Sequence, residues 1–398
     1  MFDEIICLES VTDLLIKDLT KGALSNSMLF HGAESSAKLT AALELARLLN
    51  CETPENSNCR CANCRSFETL DFQGLVFLSR RDFTNLYITL NNLYEQTKEK
   101  KFYNEMVKVL RLIRLSLNDS FISDTFSDTD KKTINSNITL LLELIDDNAI
   151  FEKKEDVLKA LLSLQSLYKK KNIPVNSVRA VLDWTFIKQS NINRVVIIDH
   201  VDHLDESSSN ILLKRLEEPS KSLFFILLAE NRNKVIQTIV SRCRCYYFND
   251  LSLNNVKTVL KTKFSCEDDY ESINDFINRD DPLYRKNIVT DALKILNCVF
   301  NPVHTVTELH DLLSEYNDKK VSVALLNEMS HIIESEILKR ESGEVQTIKG
   351  LSLLSYSELG SLNQLITEQS SKIQLYSNNP LLTMEGIFYP IKTEVSNG

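Results

Sequence analysis

Four cysteines lie within one short stretch of the chain, CETPENSNCRCANC. They are Cys51, Cys59, Cys61 and Cys64. Thiolates are good zinc ligands, and four of them close a tetrahedral structural site that leaves no open position for catalysis. Only one residue separates Cys59 from Cys61, where two are usual, so the participation of one ligand stays open. The spacing therefore predicts a structural zinc site, with unliganded thiols as the alternative.

A second chemical motif lies in GAESSAKLT, between a strand-like run and a helix-like segment. This setting is typical of a phosphate-binding loop, whose pattern is G-x-x-x-x-G-K-[ST]. Gly32 and Lys38 fit the pattern, but Ala37 replaces the second glycine and Leu39 replaces the metal-binding hydroxyl. The stretch is either a nucleotide site or a relic that keeps only the strand-to-helix geometry. The two losses favour the relic.

An acid, Asp199, directly follows the apolar run Val195–Ile198. Apolar runs without alternation suit parallel strands buried on both faces, and Leu223–Leu228 is a second such run. The segment between them reads as a helix that starts at a good N-cap, Asp205, and stops before Pro219. This strand-helix-strand unit places Asp199 at the carboxyl end of a strand, where open α/β sheets bind ligands.

These segments resemble the clamp-loader AAA+ subunits of bacterial DNA polymerase III, the delta-prime and gamma/tau group. The resemblance rests on VVIIDHVDHL, SNILLKRLEEPS, FFILLAEN and TIVSRC, in this order along the chain. It implies an α/β AAA+ P-loop core, with a parallel sheet, flanking helices and a small zinc module ligated by all four thiolates. A helical lid and an all-α C-terminal collar domain would follow the core.

The resemblance also implies roles for individual residues. Active members carry Asp-Glu where this chain has Asp199-His200, the Asp lying near magnesium and the Glu preparing the attacking water. The arginine of SRC, here Arg242, reaches the γ-phosphate of a neighbouring subunit in related proteins. We therefore expect a vestigial nucleotide site at Gly32, Lys38 and Asp199, doubtful ATP binding, no independent ATPase activity, and Arg242 catalytic in trans. The alternative for Arg242 is a surface arginine held by an ion pair.

The length of 398 residues accommodates two or three domains. We expect a core over 1–248, with the zinc module at 51–64 and a helical insertion at about 82–172, then a lid over 249–300 and a collar over 301–398. The insertion lies outside the resemblance, and we expect four helices in it with a mobile polar loop over 120–137. The ending resembles the family's collar motif N-x-NP-x-L-x-x-E through Asn379, Pro380, Leu382 and Glu385, with Ser377 replacing the first asparagine.

Composition limits the partners. A net charge of −9 argues against a protein that grips DNA by itself, because backbone binding needs a concentrated basic face. No stretch approaches the ~20 apolar residues of a membrane helix. The start, MFDEIICLES, lacks a basic and then apolar signal, so we expect a cytoplasmic protein.

Two functional interpretations remain. The first is a delta-prime-like stator that lends Arg242 to an ATP-binding neighbour, within a hetero-oligomeric ring that meets the sliding clamp and primer-template DNA as an assembly. The second is a gamma/tau-like motor that binds and hydrolyses ATP itself. Three residues favour the stator: Ala37, Leu39 and His200.

Overall fold

The computed structural model describes residues 1–33, 35–56, 58–122, 126–165, 173–186, 192–279, 288–317, 319–342, 348, 351, 354–376 and 379–397. The chain forms two compact units, Met1–Asn278 and Arg279–Gly398. The helix Ile288–Phe300 belongs to the second unit. The assignment of 249–300 to a lid and of 301–398 to a collar stays a prediction.

A five-stranded sheet forms the centre of the first unit. Its strands are β1 (Ser27–Gly32), β2 (Leu75–Leu78), β3 (Arg194–Ile198), β4 (Leu223–Ala229) and β5 (Arg244–Phe248). The spatial order is β2-β3-β4-β1-β5, and every neighbouring pair is parallel. All five strands therefore end at the same edge of the sheet.

Both faces of this sheet are covered, as the unbroken apolar runs predict. In β3, Val195 and Ile197 belong to one buried apolar cluster, whereas Val196 and Ile198 belong to another. Alternate side chains of a strand point to opposite faces, so each cluster is the core of one layer. This arrangement is typical of parallel sheets with helices on both sides.

The described helices of the first unit surround this sheet. They are α1 (Glu9–Thr20), α2 (Lys38–Leu48), α3 (Ala62–Glu68), α4 (Thr84–Thr97), α5 (Lys100–Ser116), α6 (Asp119–Ile122), α7 (Asp128–Asp146), α8 (Lys154–Gln165), α9 (Val175–Trp184), α10 (Glu206–Glu217), α11 (Gln237–Val240), α12 (Leu253–Phe264) and α13 (Ile273–Asn278). The predicted limits of α10 are confirmed, because the Asp205 carboxylate accepts a hydrogen bond from the Ser208 amide at 2.6 Å. The sequence predicts a first helix over residues 4–20, but α1 starts only at Glu9, because Cys7 takes φ 65°, which no right-handed helix allows.

The insertion contains α4 to α8, and its apolar face is continuous with the core. Phe102, Met106 and Leu110 of α5 lie in the same buried cluster as Ile197 of the sheet. The expected mobile loop over 120–137 is wrong for residues 120–122, which lie in α6, and from 128 onward, because α7 begins at Asp128. A capping box between Ser127 and Asp130 starts this helix, and Ile134 anchors it in the core. The sequence predicts a last helix over Val157–Lys169, of which residues 166–169 lie outside the described residues.

The described elements of the second unit are all helical. They are Ile288–Phe300, Val306–Ser314, Lys319–Ser342, Tyr356–Tyr376 and Pro380–Asn397. The buried Lys392 donates from Nζ to the carbonyl of Cys298 at 2.8 Å and also to the carbonyl of Asn301, which satisfies the end of the first of these helices. Within the described part of the chain, no helix is both long and apolar enough to span a membrane.

Candidate functional site

The residues predicted around the phosphate loop and the acid strand meet at the carboxyl edge of the sheet. Lys38 begins α2 after β1, and Asp199 follows β3. They are close enough that Asp199 and the neighbouring Arg81 both act on the pKa of Lys38. The structure therefore brings the predicted loop lysine and the predicted acid into one site.

Gly32 has a structural task that is independent of any ligand. It takes φ 147°, and a Cβ added there would lie 2.0 Å from the carbonyl oxygen of Phe248 on the neighbouring strand. Real Cβ atoms do not approach a backbone oxygen so closely, so only glycine fits. Its presence in the loop motif therefore does not by itself indicate phosphate binding.

Ala37 and Leu39 depart from the phosphate-loop pattern in different ways. Ala37 takes φ 56° and ψ 17°, the left-handed conformation, which costs a residue with a Cβ roughly 1 kcal/mol and a glycine almost nothing. Leu39 is buried in the core cluster. The backbone thus keeps a left-handed turn at the end of the loop, but the position expected to bind a metal offers an apolar side chain.

The loop lysine is directed onto its own loop. Lys38 Nζ donates to the carbonyl oxygen of Gly32 at 2.6 Å, to that of Ala33, and to the Ser36 hydroxyl at 3.2 Å. Three acceptors satisfy the three donors of an ammonium group. Burial and then the charge of Arg81 lower its pKa to about 8. In this structure, Lys38 therefore stabilises the loop from within.

Asp199 is neutralised by an arginine that the sequence analysis did not identify. Arg81 donates from Nε to Asp199 Oδ2 at 2.9 Å and from Nη2 to Oδ1 at 3.1 Å. The Ser79 hydroxyl adds a bond to Oδ2 at 3.0 Å. Burial alone would raise the pKa of Asp199, but the charge of Arg81 and the hydrogen bond from His200 hold it well below its usual range. Both carboxylate oxygens thus have protein partners.

His200 lies between two carboxylates. Its Nδ1 is 3.3 Å from Asp199 Oδ2, and its Nε2 is 3.3 Å from Glu230 Oε1. Burial alone would lower its pKa, but the close carboxylates of Asp199 and Glu230 outweigh burial and raise the pKa to about 9. The imidazole is therefore protonated near neutral pH. An imidazolium donates from both nitrogens and has no lone pair with which to accept a proton from water.

Arg81 had a signal in the sequence, although an indirect one. It comes three residues after the end of β2 at Leu78, and β2 pairs with β3. Parallel strands end at one edge of a sheet, so a basic residue just after β2 comes close to an acid just after β3. The signal was hidden because 118 positions separate Arg81 from Asp199 along the chain.

Arg242 lies apart from this group, immediately after α11 and Ser241. Its guanidinium donates to the carboxylate of Glu217 and, from Nη1, to the carbonyl oxygen of Thr238 at 2.9 Å. Among the described residues, its ion pair is with Glu217 and not with any acid at the sheet edge. The structure thus separates the predicted in-trans arginine from the loop that contains Lys38.

The four predicted zinc ligands lie together. Their sulfur atoms are all within 4.8 Å of one another, and the Sγ atoms of Cys51 and Cys64 are 3.4 Å apart. Tetrahedral coordination at a Zn–S distance of ~2.3 Å puts sulfur atoms roughly 3.8 Å apart, so the cluster fits a metal such as zinc. Cys59 and Cys61 both join it despite their tight spacing. Arg47 donates to Cys64 Sγ at 3.1 Å, as an outer partner of a metal-bound thiolate does.

Comparison with known proteins places the first unit in a family. Residues 8–252, more than half of the chain, match the family model described as DNA polymerase III, delta subunit. The chain belongs to this family.

Similar proteins include DNA polymerase III subunits of two names, delta' and gamma. DNA polymerase III subunit delta' from Haemophilus influenzae is 35% identical over 101 residues, which cover 24% of this chain and 30% of that protein. DNA polymerase III subunit gamma from Buchnera aphidicola subsp. Acyrthosiphon pisum is 28% identical over 182 residues, which cover 40% of this chain and 48% of that protein. The chain thus spans less than half the length of these curated relatives.

Among solved structures, a DNA polymerase III gamma subunit-related protein from Thermotoga maritima matches with a TM-score of 0.28 and 14% identity. The match covers 56% of this chain and 80% of that one. Similarity at this level supports no conclusion about function.

Proposed function

We propose that the chain is a delta-prime-like stator of the DNA polymerase III clamp loader, with an AAA+ core whose own nucleotide pocket is vestigial. One observation carries this proposal: the residues that would meet a nucleotide and its magnesium are satisfied by other residues of the chain. Lys38 is bonded to its own loop, and Asp199 is paired with Arg81. His200, where active members carry a catalytic glutamate, is held as an imidazolium between two acids.

In this proposal the chain acts through Arg242, which it lends to an ATP-binding neighbour. The position after a short helix and the intact TIVSRC phrase support this role. An arginine in this role stabilises the charge that develops on the transferred phosphoryl group, and it needs no local nucleotide site.

The cysteine cluster would hold one structural zinc ion through Cys51, Cys59, Cys61 and Cys64. Four protein ligands leave no open coordination position, so the ion would cross-link the segment between α2 and α3 and take no part in catalysis. The fit of the four sulfur atoms supports this assignment.

The partners we propose are the other subunits of a hetero-oligomeric ring, with the helical second unit as a collar, and the sliding clamp and primer-template DNA through the assembly. A net charge of −9 supports DNA contact in company with other subunits. The alternative is a gamma/tau-like motor, which the similarity to subunits named gamma favours.

ATP titration separates the two functions. We expect calorimetry of the purified chain with ATP and Mg²⁺ to detect no micromolar binding and no turnover. The same chain combined with its loader partners should support turnover. Micromolar binding with hydrolysis by the chain alone would replace the stator with the motor.

A further inference from the structure

The guanidinium of Arg242 is held in one orientation by its own chain. Nε donates to Glu217 Oε1 at 2.7 Å, and Nη2 donates to the same oxygen. Nη1 donates to the carbonyl oxygen of Thr238 at 2.9 Å. Glu217 is the last residue of α10 and Thr238 lies in α11, so two separate helices fix the group.

These bonds leave part of the guanidinium available. An arginine has five N–H donors in a planar fork, and the bonds to Glu217 and Thr238 use three of them. Within the described part of the chain, one N–H on each of the two terminal nitrogens has no acceptor. The Arg242 side chain is 30% exposed and that of Glu217 is 48% exposed, so both groups lie at the surface. A surface guanidinium with a fixed plane and two remaining donors suits an external anion with oxygen acceptors.

We propose that Glu217 is a positioning residue for Arg242: it orients the guanidinium so that the remaining donors meet a phosphate oxygen held by the neighbouring subunit. This inference rests on the proposed function of Arg242 in trans. A pair this exposed is weak, so Glu217 restricts rotation of the side chain without withholding it from a stronger anion. The ion pair and the action in trans are therefore compatible roles of the same arginine.

The first test uses the assembled loader and the turnover that depends on Arg242, defined as the part lost in Arg242→Ala. Glu217→Ala should lower this part about two- to five-fold, the range that the strength of an exposed pair allows, with the KM for ATP unchanged. Glu217→Gln keeps a carbonyl acceptor and should restore most of it. Glu218→Ala, at the neighbouring exposed position, is the matched control and should have no effect. Unchanged or faster turnover in Glu217→Ala overturns the inference. Unchanged turnover would show that Glu217 does not position Arg242, and faster turnover would show that Glu217 withholds Arg242 from the neighbouring subunit.

Two further measurements separate this inference from the proposed function. In an Arg242→Ala background, Glu217→Ala should have no additional effect; a persistent effect would show a structural role and overturn the inference. In the isolated chain, NMR relaxation of the Arg242 Nε–H group should show a rigid side chain that becomes mobile in Glu217→Ala. If Arg242→Ala leaves loader turnover intact, the proposed function fails. If Arg242→Ala lowers loader turnover but the Glu217 variants do not, only the positioning role of Glu217 is refuted.

Discussion

The pair between Arg81 and Asp199 provides the sharpest test of the proposal that the chain's own residues satisfy the groups of the nucleotide site. The Asp199 side chain is 2% exposed and that of Arg81 is 19% exposed, so the change Arg81→Met removes the arginine partner of a buried carboxylate while keeping the aliphatic stem. Removing one partner of a buried pair typically costs about 3–5 kcal/mol. Asp199 would keep the Ser79 hydroxyl and both the backbone amide and the imidazolium of His200, so we expect the lower end, about 3 kcal/mol at pH 7.

The dependence of this cost on pH follows from the protonation of Asp199. Without Arg81, the Asp199 carboxylate can escape its penalty by taking up a proton, which costs about 1.4 kcal/mol for each pH unit above its ordinary pKa of ~3.9. The penalty is therefore capped at about 4 kcal/mol at pH 7 and at about 1.5 kcal/mol at pH 5. The loss of stability in Arg81→Met should shrink as the pH falls.

Urea unfolding followed by tryptophan fluorescence is the assay for this variant. Trp184 is the only tryptophan and lies in the first unit, so its signal reports on the unit that contains the pair. Arg179→Met, at an exposed position of α9, is the control and should stay within about 0.5 kcal/mol of the parent chain. Asp199→Asn should remove most of the effect of Arg81→Met. A loss below about 0.5 kcal/mol at pH 7, or an equal loss with Asn at 199, would refute the reasoning.

Two other predictions concern His200 and the cysteines. The pKa of His200 is about 9 in the folded chain, above its ordinary value of ~6.5, so its stabilisation is complete below pH 6.5 and disappears as the pH rises to 9. Urea unfolding should therefore show a larger stability difference between the parent and His200→Gln at pH 6 than at pH 9.5. Lys38, whose pKa is lowered, contributes a change of stability with pH in the opposite direction, but it is present in both proteins and cancels in the difference. A difference that does not change with pH would contradict the prediction. Metal analysis should find one zinc per chain, lost in Cys59→Ser and retained in Cys266→Ser, a cysteine outside the cluster; a metal-free parent chain would exclude the zinc site.

The parts of the fold that the sequence predicted were those with local signals. Helix α10 is an example, because its N-cap, Asp205, and the proline after it lie within the segment itself. The strand before Asp199 is another, since an unbroken apolar run is visible without its neighbours. These signals need no knowledge of which elements are adjacent in space.

The features that sequence analysis missed depend on distant or ambiguous signals. The capping box that starts α7 consists of Ser and Asp, and the same residue types are typical of polar loops, so composition alone predicts a mobile loop in this segment. The role of Arg81 required knowing that β2 and β3 are neighbours, and the insertion between them hides this relation. Composition and periodicity therefore do not reveal the ion pair between residues that follow two neighbouring strands.

A partial match to the phosphate-loop pattern does not by itself indicate a bound nucleotide. A carboxylate at the end of a buried strand must be neutralised, whether by a bound cation or by a residue of the chain. Here Arg81 takes that task, while Gly32 is required by the approach of the neighbouring strand and Lys38 by its own loop. Because each of these residues has a structural role, a chain that no longer binds nucleotide would also retain them. Arg242 differs in this respect, because among the described residues its guanidinium donates only to the exposed residues Glu217 and Thr238, and we propose that it serves a neighbouring subunit.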